Sequence, residues 1–251
     1  SEEPEGPWIP GAVPLNLNDL ALNSEEGEEP RIALDLPEDL TGVRSVFEFA
    51  GVSDDSRIVV VFEESRVPSA TRTIWTLEVL GLGERASLLD GGLEAWKAAD
   101  GALADTPGDP EPGRITAEPK PDRRATADWI LERGDSEGVA LVDARRPVSF
   151  DGTRPEMEGR AGHIPGAGSL PYPELYTEDG RLRPEPELVA LFEAAGFEAG
   201  DQVVAYCHIG YWASAVVFAA RTLGWDARLY DGSMTEWAQD ESLPLVIPEP
   251  R

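Results

Sequence analysis

A single cysteine, Cys207, occurs in 251 residues, which excludes an internal disulfide framework. Histidine is almost as scarce, with only His163 and His208. A cysteine-rich metal site is therefore impossible, and no zinc site built on Cys207 is expected. Lysine is confined to Lys97 and Lys120, while arginine supplies the other 19 of the 21 basic residues. No run approaches the ~20 apolar residues of a membrane helix, so membrane insertion is not expected. The opening Ser1-Glu2-Glu3-Pro4-Glu5 carries no signal-peptide pattern.

Acidic side chains, in contrast, are abundant: 48 of them bring the net charge to −27. Such a field repels nucleic acid and anionic lipid, and neither is an expected partner. It would repel an anionic substrate too, unless arginines gather at its site. The 41% hydrophobic content with 8% aromatics fits a globular protein, long enough for two domains of about 125 residues each.

An internal repeat supports two domains. Asp90-Gly91-Gly92-Leu93-Glu94-Ala95-Trp96 returns as Asp231-Gly232-Ser233-Met234-Thr235-Glu236-Trp237, 141 positions later. Ile9-Pro10-Gly11-Ala12 returns as Ile164-Pro165-Gly166-Ala167 after 155, which implies some 14 extra residues in the first half. Each half has an apolar run, Ile58 to Phe62 or Gln202 to Tyr206, then a loop and a helix-like segment ending near Leu80-Gly81 or Leu223-Gly224. Between the halves, residues 100–124 hold five prolines and three glycines, the composition of a linker.

In the second half, Val139 to Val142, Val203 to Tyr206 and Arg228 to Tyr230 read as short buried strands. Leu188, Leu191 and Phe192 form a helical stripe that begins near Pro186 and stops at Gly196. A second helix runs from Ala213 to Leu223 and is closed by Gly224. This alternation predicts an α/β fold with a parallel sheet covered on both faces. Twenty-four residues separate Val139 from His163, whereas only eight precede Ile9. The first half is thus expected to lack its opening strand, supplied by an upstream segment or another part of the polypeptide. An upstream segment would have room for an export signal, so the expected compartment is a bacterial periplasm over the cytoplasm.

A lone cysteine is most often a small core hydrophobe. Tyr206-Cys207-His208-Ile209-Gly210-Tyr211-Trp212-Ala213-Ser214, however, joins a strand to a helix. Cys207 then sits at a strand's carboxyl end, where open α/β sheets bind ligands. Loop amides and the helix amino-terminus are expected to stabilise its thiolate and lower its pKa. The competing reading is an inert buried thiol.

Residues 125–245 resemble a rhodanese domain, in Asp143-Ala144-Arg145, Phe150-Asp151-Gly152, Gly162-His163-Ile164-Pro165-Gly166-Ala167, the Cys207 loop, and Asp231-Gly232 through Trp237. Residues 8–98 resemble the same family, and two-domain thiosulfate and mercaptopyruvate sulfurtransferases share this layout. The resemblance implies two rhodanese-like domains, 1–104 inactive and incomplete, 105–124 a linker, and 125–251 catalytic. It also implies that Cys207 receives sulfane sulfur from a small anionic donor, thiosulfate or 3-mercaptopyruvate, and holds it as a persulfide. A thiol or cyanide then collects it. The amides of His208, Ile209, Gly210, Tyr211 and Trp212 would stabilise the anion, with no metal or organic cofactor. Related phosphatases carry an arginine after Cys and five residues; that position here is Ala213, so phosphoester hydrolysis is disfavoured.

The donor is less legible. His208, Tyr211 and Trp212 match neither the basic loop of thiosulfate enzymes nor the small polar loop of mercaptopyruvate enzymes. The family's arginine before the Phe-x-Gly turn is replaced by Ser149. Arg154 and Arg160 either supply the missing charge or are ordinary surface arginines, and His208 either adds charge below neutrality or is simply exposed. Asp143 and His163 are expected to brace loops, and Trp96 and Trp237 to pack. Tyr211 and Trp212 either line the pocket mouth or cover the seam between halves. Having no cysteine, the first half is expected to be silent: its loop begins near Glu63-Glu64-Ser65-Arg66, and Arg66 or Arg72 would wall the pocket. Two other functions fit the same cysteine: a sulfur-relay module serving a protein partner, and a redox sensor without a resolving thiol.

Overall fold

Short strands alternate with helices along this chain, in a computed structural model that describes residues 6–21, 34–64, 66–153 and 160–247. In the first half come α1 (Thr41–Phe49), β1 (Ile58–Val60), α2 (Val67–Val79), β2 (Ala86–Leu88) and α3 (Gly92–Ala98). Val43 and Phe47, four residues apart on α1, face the core, and Pro68 occupies the first turn of α2, where a missing N–H costs nothing.

The second half contains β3 (Arg124–Ala125), α4 (Ala127–Arg133), β4 (Val139–Asp143), α5 (Pro147–Phe150) and β5 (Gly168–Ser169). It continues through α6 (Glu185–Ala194), β6 (Gln202–Tyr206), α7 (Tyr211–Thr222), β7 (Ala227–Tyr230) and α8 (Ser233–Trp237). The strands form a parallel sheet in the order β3-β7-β6-β4-β5, and β1 and β2 form a separate parallel pair. The three strands and two helices read from sequence in this half are β4, β6, β7, α6 and α7. Among the described residues no strand flanks β1 on the side where β4 flanks β6.

Side chains of β6 alternate between two apolar layers, as a pleated strand requires. Val204 and Tyr206 join the layer formed by Ile130, Leu141, Ile164 and Trp237. Val203, Ala205 and Cys207 join a core that continues into the first half through Phe62, Val67, Trp75 and Leu77. The seam is built on α2 against α7. Thr71 and Ser214, 143 positions apart like Gly81 and Gly224, share a buried hydroxyl–hydroxyl hydrogen bond of 2.9 Å. Arg221 and Glu78 form an ion pair at 2.8 Å across the same seam.

The proline-rich stretch is a strap rather than a free spacer. Gly108 N–H donates to the Ala12 carbonyl at 2.7 Å, Gly113 N–H to that of Glu48 at 2.7 Å and Lys120 N–H to that of Val79 at 2.7 Å. Ile115 is buried, with its amide on the Glu48 carboxylate. A single 3-10 turn at Pro121–Arg123 then leads into Arg124, which already belongs to the second sheet.

Candidate active site

Cys207 directly follows β6, and its side chain is 1% exposed. Main-chain amides of Ala213, Ile209 and Trp212 donate hydrogen bonds to its sulfur. Ile209 and Trp212 belong to the expected cradle, and Ala213 extends it by one residue into α7. Gly210 does not contribute, because its N–H points to the Ser233 hydroxyl at 3.0 Å.

The expected fall in thiol pKa is reversed. Burial pushes the Cys207 thiol up; the three amides pull it down and the Asp143 carboxylate adds to the rise. Desolvation of a fully enclosed sulfur outweighs a set of dipoles that stabilises the same anion. The resting group is a thiol whose anion, once formed, meets donors already in place.

Several contacts hold the loop in shape. Ser233 is completely buried, and its hydroxyl accepts the Cys207 N–H at 3.2 Å as well as that of Gly210 while donating to the Tyr230 carbonyl at 2.9 Å. It does so at φ +50°, a left-handed conformation that costs a side-chain-bearing residue on the order of 1 kcal/mol. The Cys207 carbonyl accepts from Met234 N–H, and the His208 carbonyl accepts both the N–H and the hydroxyl of Thr235. Gly210, at φ +72°, ends the loop and caps α7, and a Cβ there would lie 2.7 Å from Arg72 Nη1.

Below the loop, Asp143 and Arg145 form a buried bidentate pair, and Arg145 also donates to the Gly162 carbonyl at 2.8 Å. His163 stacks on Phe150 at 3.8 Å and donates from Nδ1 to the Phe150 carbonyl at 2.8 Å. Both residues brace loops, as their sequence context suggests. Trp237 is buried with its indole N–H on the Pro244 carbonyl, and that of Trp96 bonds Ala102.

The two undecided aromatics part company. Tyr211 reaches across the seam, its hydroxyl 2.7 Å from that of Ser69. Trp212 packs beside Tyr172 at 5.7 Å and the His208 ring at 5.9 Å, with the Arg146 guanidinium 5.9 Å above it. Arg160 is not brought to the loop: its guanidinium donates to the carbonyls of Trp237, Ala238 and Asp240 at the end of α8. Arg154 lies outside the described residues.

From the first half, Arg72 rather than Arg66 meets the site. It is 2% exposed, pairs with Asp231 at 2.7 Å, and points Nη1 at the Gly210 carbonyl, 3.5 Å away. Its other contacts are the Leu34 carbonyl and the face of Trp75 at 4.4 Å. Asp35 stands beside this pair; burial pushes its carboxyl up to about 6, Asp231 adds to the rise, and Arg72 opposes it.

Sequence reasoning passed over Ser233, Arg146 and Ala213. A signal for Ser233 was available in the repeat, which sets it opposite Gly92, a residue at φ +59°.

A rhodanese-like domain model matches residues 5–99 and again 126–240. The chain is 31% identical over 243 residues to a protein of Mycobacterium tuberculosis named putative thiosulfate sulfurtransferase SseB, covering 94% of this chain and 82% of that one. It is 34% identical over 241 residues to a probable 3-mercaptopyruvate sulfurtransferase of Pseudomonas aeruginosa, covering 95% and 84%. The crystal structure of SseA from Escherichia coli, described as a 3-mercaptopyruvate sulfotransferase of rhodanese fold, superposes with a TM-score of 0.76 at 29% identity, over 90% of this chain and 82% of that one.

Proposed function

The chain belongs to the rhodanese-like family and is a sulfurtransferase, and we propose that Cys207 is its sulfur carrier and that the donor is a small anion of the thiosulfate or 3-mercaptopyruvate type. The observation that carries this reading is the convergence of three amides on one buried sulfur. Fixed dipoles in a water-poor site stabilise developing negative charge without reorganising, and here they surround the atom that would bear it.

The step balances simply. With thiosulfate, the Cys207 sulfur bonds the outer sulfur as the S–S bond to the sulfonate breaks. Sulfite leaves with the electron pair and the thiol proton. With 3-mercaptopyruvate the C–S bond breaks and pyruvate leaves, reprotonated at carbon. An acceptor thiol or cyanide then attacks the outer sulfur of the persulfide, and Cys207 departs as thiolate.

Burial of Cys207 favours a small donor over a protein partner, because a bulky donor would have to displace the loop to bring its sulfur to the thiol. Arg146, over the Trp212 ring, supplies positive charge on the outer side of the loop and offsets the acidic surroundings. We assign it the donor-attracting role that Arg160 does not fill.

Intact-mass measurement provides the test. Protein incubated with either donor gains one sulfur, cyanide removes it, and Cys207→Ser gains none. The loading rate climbs as pH rises through neutrality, because burial raises the thiol pKa and the anion is the nucleophile. A gain in the serine variant would move the carrier elsewhere, and no gain from either donor in the native chain would reject the small-anion reading.

A further inference from the structure

Silence in the first half does not mean absence from the chemistry. We propose that Arg72, supplied by the half without a cysteine, is a positioning residue for the sulfur-binding loop of the other half. The proposal rests on Cys207 being the sulfur carrier and concerns what holds its cradle in register.

Gly210 is gripped at both of its peptide groups. Its N–H donates to Ser233 Oγ at 3.0 Å, and its carbonyl faces Arg72 Nη1 at 3.5 Å. The peptide carrying that carbonyl lies between the Ile209 amide on one side and those of Trp212 and Ala213 on the other, the three that reach the sulfur. Rotation of this peptide would swing donors on both sides away from Cys207.

Arg72 is well fixed for such a task. Its guanidinium pairs with Asp231, two residues from Ser233, so one buried cation ties the Gly210 carbonyl to the segment that anchors the Gly210 amide. Trp75 supports its face, and the Leu34 carbonyl accepts from Nη2. The space beside Gly210 is shaped for this arrangement, since a Cβ at 210 would press on Nη1 at 2.7 Å. A planar fork can serve carboxylate and carbonyl together; an ammonium at the end of a flexible stem cannot hold both in fixed geometry.

The experiment uses the full chain and its only thiol. Iodoacetamide alkylation against pH reports Cys207 ionisation, and intact mass after thiosulfate reports the rate of sulfur loading. Arg72→Gln is expected to slow loading at least tenfold and to displace the alkylation profile to higher pH. Arg72→Lys, which keeps a positive charge opposite Asp231 and serves if the glutamine variant does not fold, is expected to slow loading severalfold. Glu78→Gln is the control, because it breaks the Arg221 ion pair across the same seam without touching the loop. It should leave the loading rate and the alkylation profile unmoved. Wild-type loading and ionisation in folded Arg72→Lys would overturn the proposal, as would an equal displacement in Glu78→Gln. Failure of the native chain to load sulfur would instead strike at Cys207 as carrier.

Discussion

Equivalent strands of the two halves run into a turn and a helix, yet one strand is followed by a thiol and the other by a benzyl group. Val60 pairs with Leu88 as Ala205 pairs with Leu229, and Leu93 N–H bonds the Phe62 carbonyl as Met234 N–H bonds that of Cys207. Phe62 therefore occupies the structural position of Cys207, and Gly92 that of Ser233. The half without a cysteine uses glycine where the backbone turns left-handed and needs no hydroxyl. The Cys207 half keeps a serine there despite the strain, because two loop amides require an acceptor. At this position the Cys207 half bears a backbone strain that its counterpart, a glycine, avoids.

Replacing Ser233 breaks this contrast most severely. Ser233→Gly installs the silent half's residue, relieving backbone strain but leaving the Cys207 and Gly210 amides without their acceptor. Sulfur loading should fall about tenfold or more, in keeping with ~1.4 kcal/mol per decade and ~1 kcal/mol or more per lost buried partner. Stability, measured by urea unfolding, should change little. Ser233→Ala keeps the strain and loses the acceptor, so it should be less stable than the glycine variant by roughly 1 kcal/mol. A glycine variant that loads sulfur at the native rate would show that the hydroxyl is dispensable.

A smaller effect is expected at Asp35, on the first half's side of the charged cluster. Its carboxyl titrates at about 6 when folded, above its unfolded value of 3.8, so the folded state holds a proton that the unfolded state has released. The corresponding stability is fully present below pH ~4 and is lost as pH rises through ~6. Asp35→Asn should remove that dependence. The variant should be more stable than the native chain by about 1 kcal/mol at neutral pH, a figure discounted for partial solvent exposure, and equal to it near pH 4. Urea midpoints that differ equally at both pH values would refute the assignment.

The smallest expected change comes from Phe62→Cys, which gives the silent half a thiol. Glu63 and Glu64 follow at once, and Glu64 sits at φ +51°. Carboxylates at the mouth of the turn oppose an anionic sulfur group, so the variant should still gain a single sulfur by intact mass. A gain of two would show that the fold alone, without the tailored loop, suffices.

Much of this was legible in the chain because the signals are local. Strands β4 and β6 contain the uninterrupted apolar runs Val139 to Val142 and Val203 to Tyr206, α7 is followed by a glycine, and the Cys207 loop lies between β6 and α7 in sequence. What was hidden depends on residues far apart. Arg72 and Asp231 are 159 positions apart, and nothing in the surroundings of Arg72 distinguishes it from Arg66 until α2 is laid against α7. Arg160 sits in a suggestive stretch, but three carbonyls at the end of α8 bind its guanidinium. The direction of the Cys207 pKa was missed for a related reason. The amides can be counted along the loop, but the depth at which the sulfur is enclosed comes from apolar side chains of both halves.

The shared hydroxyl pair at Thr71 and Ser214 lies where the two duplicated helices meet, face to face, with both side chains closed to water. The copy without a cysteine is thus the wall against which its sibling's helix is sealed. Deleting it would strip an apolar flank from the copy that carries Cys207, so duplication here has become interdependence, each repeat completing the other's interior.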